Sequence, residues 1–199
     1  MICALVLAAG ESKRMGRPKQ LLSFGRQTLI ETVVENATKA QVDETRVVLG
    51  AHKGKIKAKL EKYAVTTIDN PRYKEGMLSS IQEGFLTAPE NARALVVILG
   101  DQPTVPSSVI DKLVYAYKKS GKGIVLPVFQ KKRGHPILID TKYRREVAAL
   151  DPGIGLRALV HGHPEDIEEI AVSTPAILKD IDNPADYLEA TEKPGFKSG

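Results

Sequence analysis

The residues best equipped for chemistry form one stretch near the amino end: Leu7-Ala8-Ala9-Gly10-Glu11-Ser12-Lys13-Arg14-Met15-Gly16-Arg17-Pro18-Lys19. It follows an apolar run directly. Its small residues let backbone come close to a ligand, and a turn of this type can aim successive N–H groups at a phosphate. Arg14 and Lys19 add fixed positive charge. The stretch is not a Walker loop, which needs two glycines with four residues between them and then Lys-Ser/Thr. Gly10 and Gly16 enclose five residues and Arg17 follows, while Gly50 and Gly54 enclose three. A dinucleotide fingerprint fails too, because Ser12 and Met15 stand where glycine is required.

Carboxylates are the second ingredient. Leu99-Gly100-Asp101-Gln102-Pro103 ends another apolar run. Magnesium takes oxygen ligands and is commonly held by one or two carboxylates together with phosphates. Asp101 suits that role, although a lone aspartate at a strand end is more often a turn or cap residue. Asp180-Ile181-Asp182-Asn183-Pro184-Ala185-Asp186 offers further acids. On an extended segment Asp180 and Asp182 would share one face, so both stay open as ligands. Asp186 reads instead as first-turn helix electrostatics. His161 and His163 have no cysteine or spaced partner, so no zinc site is expected.

These residues must be positioned by strands and helices. Near-continuous apolar runs at 2–8, 45–49, 64–68, 94–99 and 123–129 read as strands covered on both faces. Segments 28–40, 55–63, 77–88 and 107–119 read as helices, the first with Leu29, Val33, Ala37 and Ala40 at helical spacing. Ser107, after Pro106, is the expected cap of the last of these. Such alternation implies an α/β fold with a mostly parallel sheet and helices on both faces. Sites in such sheets lie beyond the carboxyl ends of the strands, where the first loop and Asp101 fall. Beyond residue 139 the pattern loosens. A short helix is expected at 143–150, a loop at 151–155, short strands at 166–172 and 176–181, and a closing helix at 184–191 with proline in its first turn. The expected organisation is one domain, 1–190, followed by a mobile tail, 191–199.

Composition narrows the partners. The chain has 199 residues, 42% hydrophobic, enough for a full core. It holds no apolar run of about 18 residues, so no membrane span is expected. The apolar start is short and lacks a basic flank, unlike a signal peptide. One cysteine, Cys3, excludes a disulfide framework and points to a reducing cytoplasm. The net charge of +5 suits a phosphate-handling enzyme. Aromatics at 5%, with no tryptophan, leave few stacking platforms, so no nucleic-acid partner is expected.

The first loop, together with Gly-Asp-Gln-Pro at 100–103 and Arg-Gly-His-Pro at 133–136, resembles the MobA-like nucleotidyltransferase family, and within it the molybdenum cofactor cytidylyltransferase branch. The resemblance extends over roughly residues 2–188 and implies a Rossmann-like three-layer fold of the nucleotide-diphospho-sugar transferase type. It implies that Leu7, Ala8, Ala9, Gly10, Asn70, Gly76 and Ser80 line the nucleotide, with Arg14 and Lys19 gripping the triphosphate. Asp101 and Asp182 would hold Mg2+, and Arg14, Lys19 and Asp101 would be the catalytic set. Arg133, Gly134, His135 and Arg157 would meet the acceptor. Members with glycine in place of Ala9 tend to use guanine nucleotides; an extra methyl narrowing the slot is worth about 1–3 kcal/mol, which favours CTP here without being the only selector.

The implied reaction is in-line attack of an acceptor phosphate on the α-phosphorus of CTP, with pyrophosphate leaving. A phosphate monoester has a second pKa of about 6, so it is already ionised near neutrality. This agrees with the absence of a Ser–His–Asp or Cys–His set. The implied acceptor is molybdopterin cofactor, and the implied client a molybdenum hydroxylase of the xanthine-dehydrogenase type. Two other readings remain: a sugar- or alditol-phosphate nucleotidyltransferase, and a non-catalytic molybdenum cofactor carrier. A nicotinamide oxidoreductase is disfavoured by the failed fingerprint.

Overall fold

The computed structural model describes residues 1–192; residues 193–199, most of the expected tail, lie outside the described residues. The chain opens with β1 (Ile2–Ala8), whose seven residues are almost wholly buried. A small hairpin, β2 (Ser23–Phe24) with β3 (Gln27–Thr28), leads into α1 (Leu29–Thr38). Then follow β4 (Glu44–Leu49), α2 (Lys53–Leu60), β5 (Thr66–Asp69), α3 (Met77–Leu86), β6 (Ala94–Leu99) and α4 (Ser107–Ser120). The last third holds β7 (Ile124–Phe129), β8 (Lys132–Arg133), β9 (Ile137–Asp140), α5 (Arg144–Ala149), α6 (Arg157–Gly162), β10 (Ile167–Ala171) and α7 (Pro184–Thr191).

The main sheet runs β10-β7-β9-β6-β1-β4-β5, with β8 paired to β7. β1 pairs in parallel with β4 and β6, β4 with β5, and β7 with β10. β9 is antiparallel to both β6 and β7. Because β9 reverses between them, β6 and β7 point the same way, and the carboxyl ends of all the parallel strands open on one edge. Alternation along β1 divides the core. Ala4, Val6 and Ala8 pack with α1, α2 and α4 on one face. Cys3 and Leu5 pack with α3, α5 and α6 on the other. The result is the expected three-layer α/β architecture with a mostly parallel sheet.

Four local expectations are corrected. Segment 176–181 is not a strand: Pro175–Leu178 is a 3-10 turn capped by the Thr174 hydroxyl, with Pro175 at its first position, where its fixed φ suits a turn and no N–H is needed. Ser107 does not cap α4; it is the first helical residue, with extended Pro106 before it and no side-chain cap. β9 was not expected, although Ile137-Leu138-Ile139 between Pro136 and Asp140 carries a strand signal. Nor was α6, whose sequence runs straight on from a glycine-rich loop.

The helices that carry site residues are set by close packing. Gly84 lies mid-α3, where an added Cβ would collide with the Leu5 side chain of β1, itself fully buried. Gly84→Ala gains up to about 1 kcal/mol of helix propensity but meets an overpacking penalty of about 1–3 kcal/mol. A net lowering of the urea midpoint is expected; a rise would mean Leu5 rotates away without strain. Cys3, at 0% exposure, has its thiol pushed up to about 11 by burial, with Glu44 adding to the effect. The native protein at pH 8 should leave Ellman's reagent unreacted, and one thiol should appear on denaturation. Full reaction before unfolding would refute this packing.

Candidate active site

The loop after β1 forms its own scaffold. Ser12 takes a left-handed conformation, φ 57°, and its hydroxyl donates to Gln20 Oε1 at 3.1 Å while accepting from the Lys19 backbone N–H at 3.1 Å. Gln20 Nε2 donates to the Gly10 carbonyl at 3.0 Å. Gln20 is only 3% exposed, so its amide is committed to holding the loop. Neither Ser12 nor Gln20 stood out in the sequence, since their role depends on a fold-back of the loop that spacing does not reveal.

Across the cleft, Gly100 seats the end of β6. Its N–H donates to the Leu7 carbonyl at 3.0 Å, and an added Cβ would strike that same carbonyl. Asp101 is thereby delivered beside the loop. The Asp101 carbonyl accepts from the Ile181 N–H at 3.0 Å, which draws in the segment before α7. There Asp186 accepts from the N–H groups of Asp182 and Asn183 at 2.9 and 3.0 Å, and Asn183 Oδ1 accepts from those of Ala185 and Asp186. This reciprocal cap gives Asp186 the helix role expected of it and fixes Asp182.

Lys19 joins the pieces. Its Nζ donates to Asp101 Oδ2 at 2.6 Å and to Asp182 Oδ1 at 2.8 Å. Arg14 donates to Asp182 Oδ2 at 2.8 Å. Burial alone would lower the Lys19 pKa, but the two carboxylates outweigh it and hold the ammonium above its ordinary value. Burial raises the Asp101 carboxyl, with Lys19 opposing only in part. For Asp182 burial also acts upward, yet Lys19 and Arg14 overcome it and hold the carboxyl below its usual range. Asp101 Oδ1 is buried without any hydrogen-bond partner among the described residues.

A cleft of about 340 Å³ opens here, lined by Leu7, Ala9, Gly10, Arg14, Lys19 and Asp101, and also by Gly76, Ser80 and Asp182. Two residues expected at the nucleotide stand behind it instead. Ala8 is buried in the core. Asn70 is 2% exposed, and its amide donates to Ser79 and Ser80 Oγ at 2.9 and 3.0 Å, tying the loop after β5 to the start of α3. Tyr73 and Met77 line the cleft without having been singled out in the sequence. Asp180, left open as a ligand, turns away: its Oδ1 accepts from Gln102 Nε2 at 2.6 Å.

A second cavity, about 800 Å³, contains Arg133, Gly134, His135 and Arg157 together. Met77 lines both cavities, so they abut at the start of α3. Gly134 N–H donates to the Pro127 carbonyl and His135 N–H to the Ile177 carbonyl, both at 3.0 Å. Burial holds the His135 imidazole below its ordinary pKa, against a smaller opposing pull from Asp180. Arg133 Nε donates to Glu169 Oε1 at 2.6 Å.

The arrangement offers cations and a fixed loop facing one cavity, two carboxylates at its floor, and a second cavity alongside: the parts needed to bring a phosphate chain and an acceptor together. Comparison with known proteins agrees. The model of the MobA-like NTP transferase domain matches residues 4–167. The chain is 27% identical to the molybdenum cofactor cytidylyltransferase of Escherichia coli (strain K12), over 96% of each chain. It is 30% identical to nicotine blue oxidoreductase of Paenarthrobacter nicotinovorans, over 91% of this chain and 92% of that one. Rv0371c of Mycobacterium tuberculosis H37Rv superposes with a TM-score of 0.85 at 26% identity, covering 96% and 97% of the two chains; a structure of that protein in complex with manganese gives 0.79 at 26%, covering 96% and 98%. With that family model matched over most of its length, the chain belongs to the MobA-like NTP transferase domain family of nucleotidyltransferases.

Proposed function

We propose that this chain transfers CMP from CTP to the phosphate of molybdopterin cofactor, releasing pyrophosphate, for a molybdenum hydroxylase client. The observation that carries the choice of acceptor is the lining of the second cavity. Its side chains are apolar, such as Leu78, Ile81, Leu126 and Leu156, or basic; none is a carboxylate, hydroxyl or side-chain amide. These apolar walls offer contact area that a flexible, hydroxyl-rich sugar or alditol phosphate cannot use, whereas burying the apolar face of a ring system is worth about 25 cal/mol per Å². A flat ring system bearing a phosphate matches apolar walls with cations. The E. coli relative, a molybdenum cofactor cytidylyltransferase, supports the same choice.

In this reading the acceptor phosphate oxygen forms a bond to the α-phosphorus as the bond to the bridging oxygen of pyrophosphate breaks. Arg14 and Lys19 neutralise the triphosphate, the loop after β1 orients it, and the Ala9 methyl narrows the base slot. Asp101 and Asp182 would hold Mg2+: an orphaned buried carboxylate oxygen beside a second ionised carboxylate is a donor set that suits a hard cation, and the manganese-bound Rv0371c structure supports one. That cation would supply charge neutralisation at the phosphates.

The test is pyrophosphate release with molybdopterin cofactor and Mg2+, comparing CTP, GTP and ATP. CTP should be favoured by roughly tenfold or more, as expected for a slot difference of about 1–3 kcal/mol. Pterin binding without release would indicate a carrier. Consumption of NADPH would favour hydride transfer, the reading raised by the similarity to nicotine blue oxidoreductase.

Asp101→Asn separates catalysis from folding. A carboxyl whose folded pKa is raised carries its charge in the fold at a penalty; that penalty is absent below the unfolded value of 3.8 and grows as pH rises through the folded pKa. In EDTA at pH 7 the variant should therefore melt at or above the wild-type Tm, with the gain shrinking toward pH 4, while turnover falls by at least about 100-fold, in line with loss of a main electrostatic element. Retained turnover with unchanged Mg2+ dependence would sink the metal assignment.

A further inference from the structure

Four basic side chains line the acceptor cavity: Arg133, His135, Arg157 and His161. They are not equally available. Arg133 is committed to Glu169 across β8 and β10, with Nε–Oε1 at 2.6 Å. His135 is held toward its neutral form by burial, which leaves it a weak reader of charge. Arg157 and His161 have no hydrogen-bond or ion-pair partner among the described residues. Both are exposed, and both sit on α6 (Arg157–Gly162). Four residues apart, they lie one above the other on the same helix face. That face borders a cavity whose lining holds no acidic residue, so nothing there competes for them.

We propose that His161 acts with Arg157 as the anion-reading pair of the acceptor cavity, and that Arg133, despite its place in the Arg-Gly-His-Pro motif, serves as a surface strut to Glu169. The pair recognises a phosphate-type anionic group of the acceptor: a guanidinium fork supplies directed donors, and an imidazole supplies an N–H in either tautomer. This rests on the second cavity being the acceptor site, as in the reading above, but not on the acceptor being a pterin. His161 becomes a specificity-determining residue. The neighbouring His163 has a different task, since its Nε2 pairs with Glu146 at 2.8 Å and joins the end of α6 to α5.

The chain has four histidines, so ring resonances observed by NMR give a direct readout without turnover. The protein, with its nucleotide cleft saturated by CTP, is titrated with inorganic phosphate. The His161 ring should shift saturably while His52 stays still. His52 is the control because it precedes the lysine-rich α2 (Lys53–Leu60), where loosely attracted anions would gather. Equal shifts at both rings, or none at His161, would overturn the pair. In kinetics, His161→Ala should raise KM for molybdopterin cofactor roughly tenfold with kcat and the KM for CTP nearly unchanged. His161→Lys should restore it, which a structural role in the helix would not allow. Arg133→Gln should move KM by less than His161→Ala does. If wild type fails to use molybdopterin cofactor yet the phosphate shift at His161 persists, the pair stands and the acceptor is another phosphate monoester. If turnover is normal and His161→Ala leaves KM unchanged, the pair is wrong and the reaction stands.

Discussion

One ammonium group holds the site together. Lys19 Nζ bridges Asp101 and Asp182, partners 82 and 163 residues away along the chain. Two carboxylates near each other would repel and drive one toward protonation. With the ammonium between them, Asp182 stays ionised, and Asp101 is opposed in its rise. The side chain of Lys19 is only 13% exposed, so the attraction works at a lower effective dielectric than a surface pair would. The same constraint dictates backbone elsewhere. Gly100 must sit against the Leu7 carbonyl to bring Asp101 across, and the cap of α7 must hold Asp182 in place. A site so arranged is poised toward function and away from maximal stability, because its buried carboxylate oxygen has no partner within the described protein.

How far this was legible in the sequence depends on what kind of interaction does the work. A turn is made by consecutive residues, so the stretch from Leu7 to Lys19 could be read directly as one candidate site, and Asp101 was expected beside it because strand ends in a parallel sheet share an edge; the two do meet in one cleft. The struts could not be read. Ser12 and Gln20 matter through hydrogen bonds that exist only once the loop has folded back. The family resemblance placed Asn70 at the nucleotide; in the structure it is buried and its amide braces Ser79 and Ser80. The same limit applies to Asp180 and Asp182. A period-two argument placed them on one face, but the segment is not a strand, and they turn to different partners, Gln102 and Lys19.

The main chain was easier where burial was two-sided. β1, β6 and β7 are apolar throughout and β4 is so in its second half, Val47-Val48-Leu49, which leaves little choice of conformation. β9 carries a local strand signal, but its position antiparallel between β6 and β7 is a placement that no local pattern encodes. It has consequences for the site. By separating β6 from β7 it sets the acceptor segment apart from Asp101 while keeping both strands pointing to the same edge, and so makes room for two cavities in place of one.

Those two cavities follow different logic, and the difference explains why one was the more transparent. The cleft proposed for the nucleotide is lined largely by backbone and small residues of one loop, and a phosphate chain, being chemically constant, would narrow their types and make their spacing informative. The second cavity, proposed for the acceptor, draws side chains from β8, α3 and α6 among others, and in that reading its selectivity depends on which cations remain unpaired. Arg133 and Arg157 look alike in sequence. Glu169, 36 residues beyond Arg133, pairs with its Nε, whereas Arg157 has no ion-pair partner among the described residues. Charge that is present in composition becomes available for recognition only where the fold withholds a counter-charge, and that is a property of tertiary contacts. Acceptor choice within such a fold can therefore change through residues outside the signature motifs, while the nucleotide half stays fixed by the geometry of its loop.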